Sequence, residues 1–360
     1  MRVVNFSAGP AMLPTVVMER AQAEFCDYKG TGCGVMEHSH RGPLFDEILA
    51  RAIGNVREIL GVSDAYDVVF IQGGASMQFA MIPMNFMKPG GYAEFADTGT
   101  WSSKAMKEAK LFGDVKVIAS SKEDKYRYIP AFDTWKPSTA EASYLHITSN
   151  NTIYGTQYRD FPTANSPMIA DMSSDIMSRK FDMNKFAMVY AGAQKNLGPS
   201  GLALCIIRKD LIARTPANVP TMLRYETYTA NNSLYNTPPT YGIYMLALVT
   251  DWIKEIGGID AIEKINDAKA AALYSAIDAS EGYYNCPVCP ESRSRMNVVF
   301  RLPNEDLEAK FVKEAKAAGM IGLKGHRSVG GIRASIYNAV PMEGVEKLVN
   351  FMNDFKKANG

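Results

Sequence analysis

No stretch of this 360-residue chain is apolar for long enough to cross a bilayer. The longest run, YGIYMLALV from Tyr241 to Val249, falls far short of the ~20 residues a spanning helix needs. The N-terminal stretch MRVVNFSAGPAMLP breaks at Gly9 and Pro10 before an export-signal core develops, so the expected location is the cytoplasm. Net charge is also lacking: 39 Lys and Arg against 38 Asp and Glu leave +1, with no basic patch to draw in nucleic acid or an anionic membrane. The five cysteines are odd in number, which argues against a disulfide framework. CPVCP at 286–290 is a CxxC, but no second Cys or His pair lies near Cys286 and Cys289 to complete a zinc site, and no metal is expected. The chain has neither the GxxxxGK[ST] loop of nucleotide hydrolases nor the GxGxxG of dinucleotide binders. Repeats, low-complexity tracts and charge blocks are missing too.

What is present is core-forming sequence. The apolar share of 47% supports a substantial buried interior. Short apolar runs alternate with helical patterns: YDVVFI (66–71), SYLHIT (143–148), SPMIAD (166–171), FAMVYAG (186–192) and LALCIIR (202–208). Such alternation predicts an α/β fold, a mostly parallel sheet covered by helices on both faces. The helical stretch 241–256 ends at Gly257-Gly258, a helix stop and hinge. The expected division is a large domain over 13–256 and a smaller α+β domain over 257–360, joined by the N-terminal segment 1–12.

Several features carry chemistry. In VVFIQGGASMQFA a strand runs into Gly73 and Gly74 and opens a helix, so that Ala75 and Ser76 could offer backbone and hydroxyl donors to a phosphate; a tight strand-to-helix turn accounts for the glycines equally. Asp171 directly follows an apolar run, where an open parallel sheet delivers side chains to a ligand crevice, or where a helix N-cap would sit. Lys195, in AGAQKNLGPSG, follows another such run among small residues. Desolvation there would lower its pKa and free the amine to attack carbonyls, although in isolation it reads as a loop lysine. Two of only four histidines precede arginines, giving His40-Arg41 and His326-Arg327, with Arg333 beyond; Arg forks bind carboxylate and phosphate bidentately. Trp101 lies in a Gly/Ser/Thr loop, suited to stacking on a flat ligand or to core packing.

Taken in order, NFSAGPAMLP, SHRG, QGGAS, TGTWS, SNNTIYGTQ, ADMSSD, AGAQKNLGPSG, NTPPT and GHRSVGGIRASIYNA resemble the phosphoserine aminotransferases, a family of fold-type I pyridoxal-phosphate (PLP) enzymes, across almost the whole chain. The resemblance implies that Lys195 holds the cofactor by its aldehyde and moves the proton at the substrate α-carbon, and that Asp171 pairs with the pyridinium nitrogen. Trp101 would stack on the ring, and Thr152 would bond near its phenolic oxygen. Ala75, Ser76 and Gln194 would hold the phosphate, joined by Asn236 and Thr237 from a second copy in a homodimer with shared sites. His40, Arg41, His326 and Arg327 would read the substrate phosphate, and Arg333 the α-carboxylate. The implied reaction converts 3-phosphohydroxypyruvate and L-glutamate to O-phospho-L-serine and 2-oxoglutarate, for serine synthesis. A phosphorylated hydroxythreonine of vitamin B6 synthesis is left open, as is any role for His38. The rivals are a cysteine desulfurase, an alanine-glyoxylate type transaminase, and a non-catalytic protein of the same fold that senses a phosphorylated metabolite.

Overall fold

The computed structural model describes residues 2–360. Its centre is a seven-stranded sheet of β1 (Tyr66–Gln72), β2 (Tyr92–Asp97), β3 (Asp114–Ser120), β4 (Leu145–Thr148), β5 (Met168–Asp171), β6 (Met188–Gly192) and β7 (Leu202–Arg208). Their spatial order is β1-β7-β6-β5-β4-β2-β3. Only β7 runs against its neighbours, so the carboxyl ends of the other six strands share one edge. In such a sheet that edge is the ligand crevice.

Period two sorts the strand side chains onto two faces. Val68, Phe70, Ala170, Val189, Leu204 and Ile206 pack in one buried cluster, with helices α1 (Pro43–Leu60) and, later in the chain, Thr240–Glu255. Their sequence neighbours Val69, Ile71, Ile169, Tyr190, Ala203 and Cys205 pack in another, against α2 (Gly74–Phe86) and α3 (Thr100–Ala109). Strands β4, β5 and β6 are buried along their whole length, which explains their unbroken apolar reading.

The helix Thr240–Glu255, α4, ends at two left-handed glycines, Gly257 (φ +106°) and Gly258 (φ +74°). Helix α5 (Gly258–Asp278) follows and serves two cores: Ile262 packs with the sheet, and Leu273 and Ile277 with a third cluster. That cluster is built from the antiparallel pair β8 (Asn297–Phe300) and β9 (Ile332–Ser335), helices α6 (Glu305–Ala317) and α7 (Met342–Asn359), and Phe6 and Met12 from the N-terminal segment. The same segment pairs Val4–Asn5 in parallel with Met320–Ile321. Among the described residues, no helix is long and apolar enough to cross a membrane.

Candidate active site

At the carboxyl edge of the sheet lies a cavity of about 410 Å³, into which Lys195, Asp171, Trp101, Ala75, Ser76 and Gln194 all project. Lys195 leaves β6 on a tight turn, closed by the Leu197 and Gly198 amides on the Ala193 carbonyl. A Cβ at Gly192 would sit 2.7 Å from Gln194 Oε1, so a larger residue there would push the Gln194 side chain from its place in the cavity wall. The Lys195 ammonium donates to Thr152 Oγ1 at 2.8 Å and stands 5.7 Å from the centre of the Trp101 ring. Burial pushes its pKa down to about 8; Asp171 opposes that shift and Arg333 adds to it.

Asp171 ends β5 and is buried, which raises its pKa against the opposing pull of Lys195 and Ser173. Ser173 donates to a single carboxylate oxygen, through its amide (2.9 Å) and its hydroxyl (2.6 Å), leaving the other open to the cavity. Beneath it, Ser149 donates amide and hydroxyl to the Asp171 carbonyl (3.0 and 3.1 Å) and also bonds the buried Asp175, which receives Gln157 at 3.1 Å. Polar groups this deep hold position because each has a partner. The acid is therefore fixed from below and free above.

The far end of the cavity is the start of α2. Gly73 (φ +92°) and Gly74 (φ +63°) turn the chain out of β1, and the Gly73 amide is taken by the Gly201 carbonyl at 3.2 Å. The next amides, through Ala75 and Ser76, have no earlier turn to bond, so they and the helix dipole present an anion site.

The remaining expected residues divide into two groups. Thr152 is buried and bridges two partners: its hydroxyl receives Lys195, and its carbonyl receives Arg333 at 3.4 Å. Arg333 stands on β9, half-buried, with its Nε buried and unpartnered. His326 bonds Ser328 in the loop before β9, with Arg327 exposed beside it. His40, Arg41, Asn236 and Thr237 do not line the cavity in a single chain. Arg41 Nε bonds the His40 ring at 3.3 Å on an open loop, and the Asn236 amide bonds the Thr237 carbonyl at 3.1 Å. His38 contacts Thr31 Oγ1 at 3.1 Å.

Sequence reasoning passed over Ser173, Asn150, Gly9 and Pro10, all of which line the cavity. The hydroxyls following Asp171 in ADMSSD were the available signal for Ser173, since a carboxylate buried at a strand end needs donors. Nothing local in the sequence marks the two N-terminal residues. The Ala11 amide bonds the Gln194 carbonyl at 2.9 Å and brings that segment over the site.

Residues 3–348 match the family model described as Aminotransferase class-V. The chain is similar to the phosphoserine aminotransferase of Niallia circulans, at 55% identity over 100% of this chain and 99% of that one. Among solved structures it is similar to the phosphoserine aminotransferase of Bacillus circulans subsp. alkalophilus, with TM-score 0.98, 55% identity, and 100% and 99% of the two chains covered. It is also similar to the PLP-bound enzyme of that name from Trichomonas vaginalis, with TM-score 0.93, 39% identity, and 98% and 100% covered.

Proposed function

We propose, from the premise that this chain belongs to the class-V aminotransferases and among them to the phosphoserine aminotransferases, that it moves an amino group between L-glutamate and 3-phosphohydroxypyruvate to make O-phospho-L-serine. The observation that carries the reading is the pairing in one cavity of a lysine with lowered pKa and a carboxylate anchored on one oxygen only. These residues fit PLP. The α2 amides suit its phosphate, the free Asp171 oxygen its ring nitrogen, and the Trp101 ring a flat neighbour. Asp171, steadied by the two Ser173 donors, thus supplies the negative partner that a cationic ring nitrogen requires. When bound, PLP supplies an aldehyde for a lysine and a ring that draws electrons from the substrate α-carbon.

The protein's own part is to bind, orient and move a proton. Lys195, with a pKa near 8, holds an appreciable neutral fraction at physiological pH, so its Nζ can take a proton from the α-carbon and return one. Thr152 orients that amine. Arg333 takes the α-carboxylate, and His326 and Arg327 take the substrate phosphate, for which the side-chain carboxylate of glutamate substitutes in the other half of a ping-pong cycle. A second copy of the chain supplies His40, Arg41, Asn236 and Thr237, making the working form a homodimer in the cytoplasm. The same reading divides the chain at 257, with Arg333 brought to the cofactor by the smaller domain.

Transamination rates with 3-phosphohydroxypyruvate, pyruvate, glyoxylate and cysteine test this. The phosphorylated acid is expected to lead by orders of magnitude in kcat/KM; equal rates with pyruvate would overturn the assignment.

A further inference from the structure

A larger cavity, of about 590 Å³, lies against the first one and shares none of its lining residues. The wall between them is the Thr152 segment. Thr152 Oγ1 receives Lys195 from one side, Arg333 on the other side bonds the Thr152 carbonyl, and Ile153 and Tyr154, the next residues, line the larger cavity. Its other walls come from Val299 on β8, Ile332 on β9, and Pro287 and Val288 of the CPVCP segment. Two hydrogen bonds hold that segment in place: Arg127 Nε donates to the Pro287 carbonyl at 2.7 Å, and the Cys289 amide to the Arg127 carbonyl at 3.0 Å. The stretch that resembled a metal or redox motif is a wall.

Charge distinguishes this cavity from an ordinary gap between packed units. Lys122, Lys125, Arg127, Arg301, His326 and Arg333 line it, and no Asp or Glu does, in a protein whose overall charge is close to zero. Among the described residues only Arg301 of these six is paired with a carboxylate, Glu308 at 2.5 Å. The floor is apolar and aromatic, with the Tyr126 and Tyr154 ring centres 4.7 Å apart. Anion-selective polar groups around an apolar floor of this size are what a small organic ligand requires.

We propose that this cavity binds a phosphate monoester with a flat, aromatic body, and that the bound molecule competes for Arg333 and His326, the two lining residues also given to the substrate, and so weakens substrate binding. The second clause rests on the roles given to Arg333 and His326 under Proposed function; the binding itself does not. Arg333 is suited to serve both sides, since its Nε is unpartnered and its one bond to Thr152 is long. The aromatic body distinguishes this ligand from the substrate, which has no group to cover the tyrosines.

Phenyl phosphate is the probe, titrated into the PLP-loaded enzyme by calorimetry and tested as an inhibitor, with inorganic phosphate as the arm that has charge but no body. Phenyl phosphate is expected to bind once per chain and to raise KM for the phosphorylated substrate at constant kcat. Reversing the exposed rim with Lys122→Glu and Lys125→Glu together should weaken it roughly tenfold, leaving uninhibited kcat and KM within about twofold. Val288→Trp, which crowds the apolar wall of the cavity, should do the same, and neither variant should alter competition by inorganic phosphate. Absence of calorimetric binding overturns the proposal. So does phenyl phosphate binding that both variants leave unchanged, since it then occupies the substrate's own anion site. An enzyme that binds phenyl phosphate in this way yet fails to transaminate phosphohydroxypyruvate would sink the proposed reaction and leave the cavity assignment standing.

Discussion

Two lysines in this protein are held away from water, and they are put to opposite uses. Lys195 has its pKa pushed down to about 8 and Lys269, on α5, to about 7, in both cases chiefly by burial. As an ammonium, Lys269 spends all three of its donors on backbone carbonyls, those of Ile336 (3.0 Å), Tyr337 (2.7 Å) and Val340 (3.0 Å), and it is fully buried. Lys195 has one hydroxyl partner, a nearby carboxylate and open space. A shifted pKa thus marks a buried amine, and only unspent donors facing a cavity mark a reactive one. Lys269 is a tie: it fastens α5 to the chain leaving β9, where Asn338 reaches the Asn196 side chain next to Lys195.

The comparison is sharpened most by Lys195→Ala. Turnover should fall by about 10³-fold or more, while the urea midpoint barely moves, since a single hydrogen bond worth about 1 kcal/mol is lost. Substantial residual transamination would place the proton transfer elsewhere. Lys269→Met should do the reverse, stranding three buried carbonyls at a cost of about 3 kcal/mol while the folded fraction keeps its kcat. A variant as stable as the parent but slower would make Lys269 part of the chemistry and erase the distinction.

The smallest effect is in pH. Unfolded, each amine keeps its proton up to about 10.5; folded, burial brings release down to about 7 for Lys269, against the hold of its three carbonyls, and to about 8 for Lys195. Above those values the unfolded chain binds the extra proton, so stability rises with pH, by up to about 1.4 kcal/mol per unit for each group. Between pH 7 and 8 the gain comes mainly from Lys269. Urea midpoints across that interval should therefore rise more in the parent than in Lys269→Met; equal slopes would show that Lys269 keeps its proton when folded.

The sheet interior and the placing of Asp171 and Lys195 were legible because one pattern marks both, although that pattern alone left Lys195 a loop lysine and Asp171 equally an N-cap. Unbroken apolar runs identify strands covered on two faces, and the residues just past them, Asp171 and Lys195, fall at the ligand edge. Strands β2 and β3 escaped that reading for different reasons. Glu94 interrupts β2 but is buried and satisfied by Ser138 and Thr139, whereas β3 is an edge strand with mostly exposed side chains. A polar residue matched by partners distant in sequence leaves no local trace, and neither do the Asp175 relay under Asp171 and the Lys269 tie. Lys269 had one visible sign, its place on the stripe with Ile262, Asn266 and Leu273 that faces the core. His40, Arg41, Asn236 and Thr237 do not line the cavity of a single chain, so the roles proposed for them rest on the family resemblance and on a proposed second copy, not on a local pattern.

The pairing of Val4–Asn5 with Met320–Ile321 has a consequence in time. Gly9 and Pro10, which close one side of the cofactor cavity, are tied to the Gln194 turn through Ala11, while Val4 and Asn5 before them wait for a strand made much later in the chain. On the ribosome the sheet domain can collapse while this leading segment still lacks a strand to join, and contacts so distant along the chain close slowly.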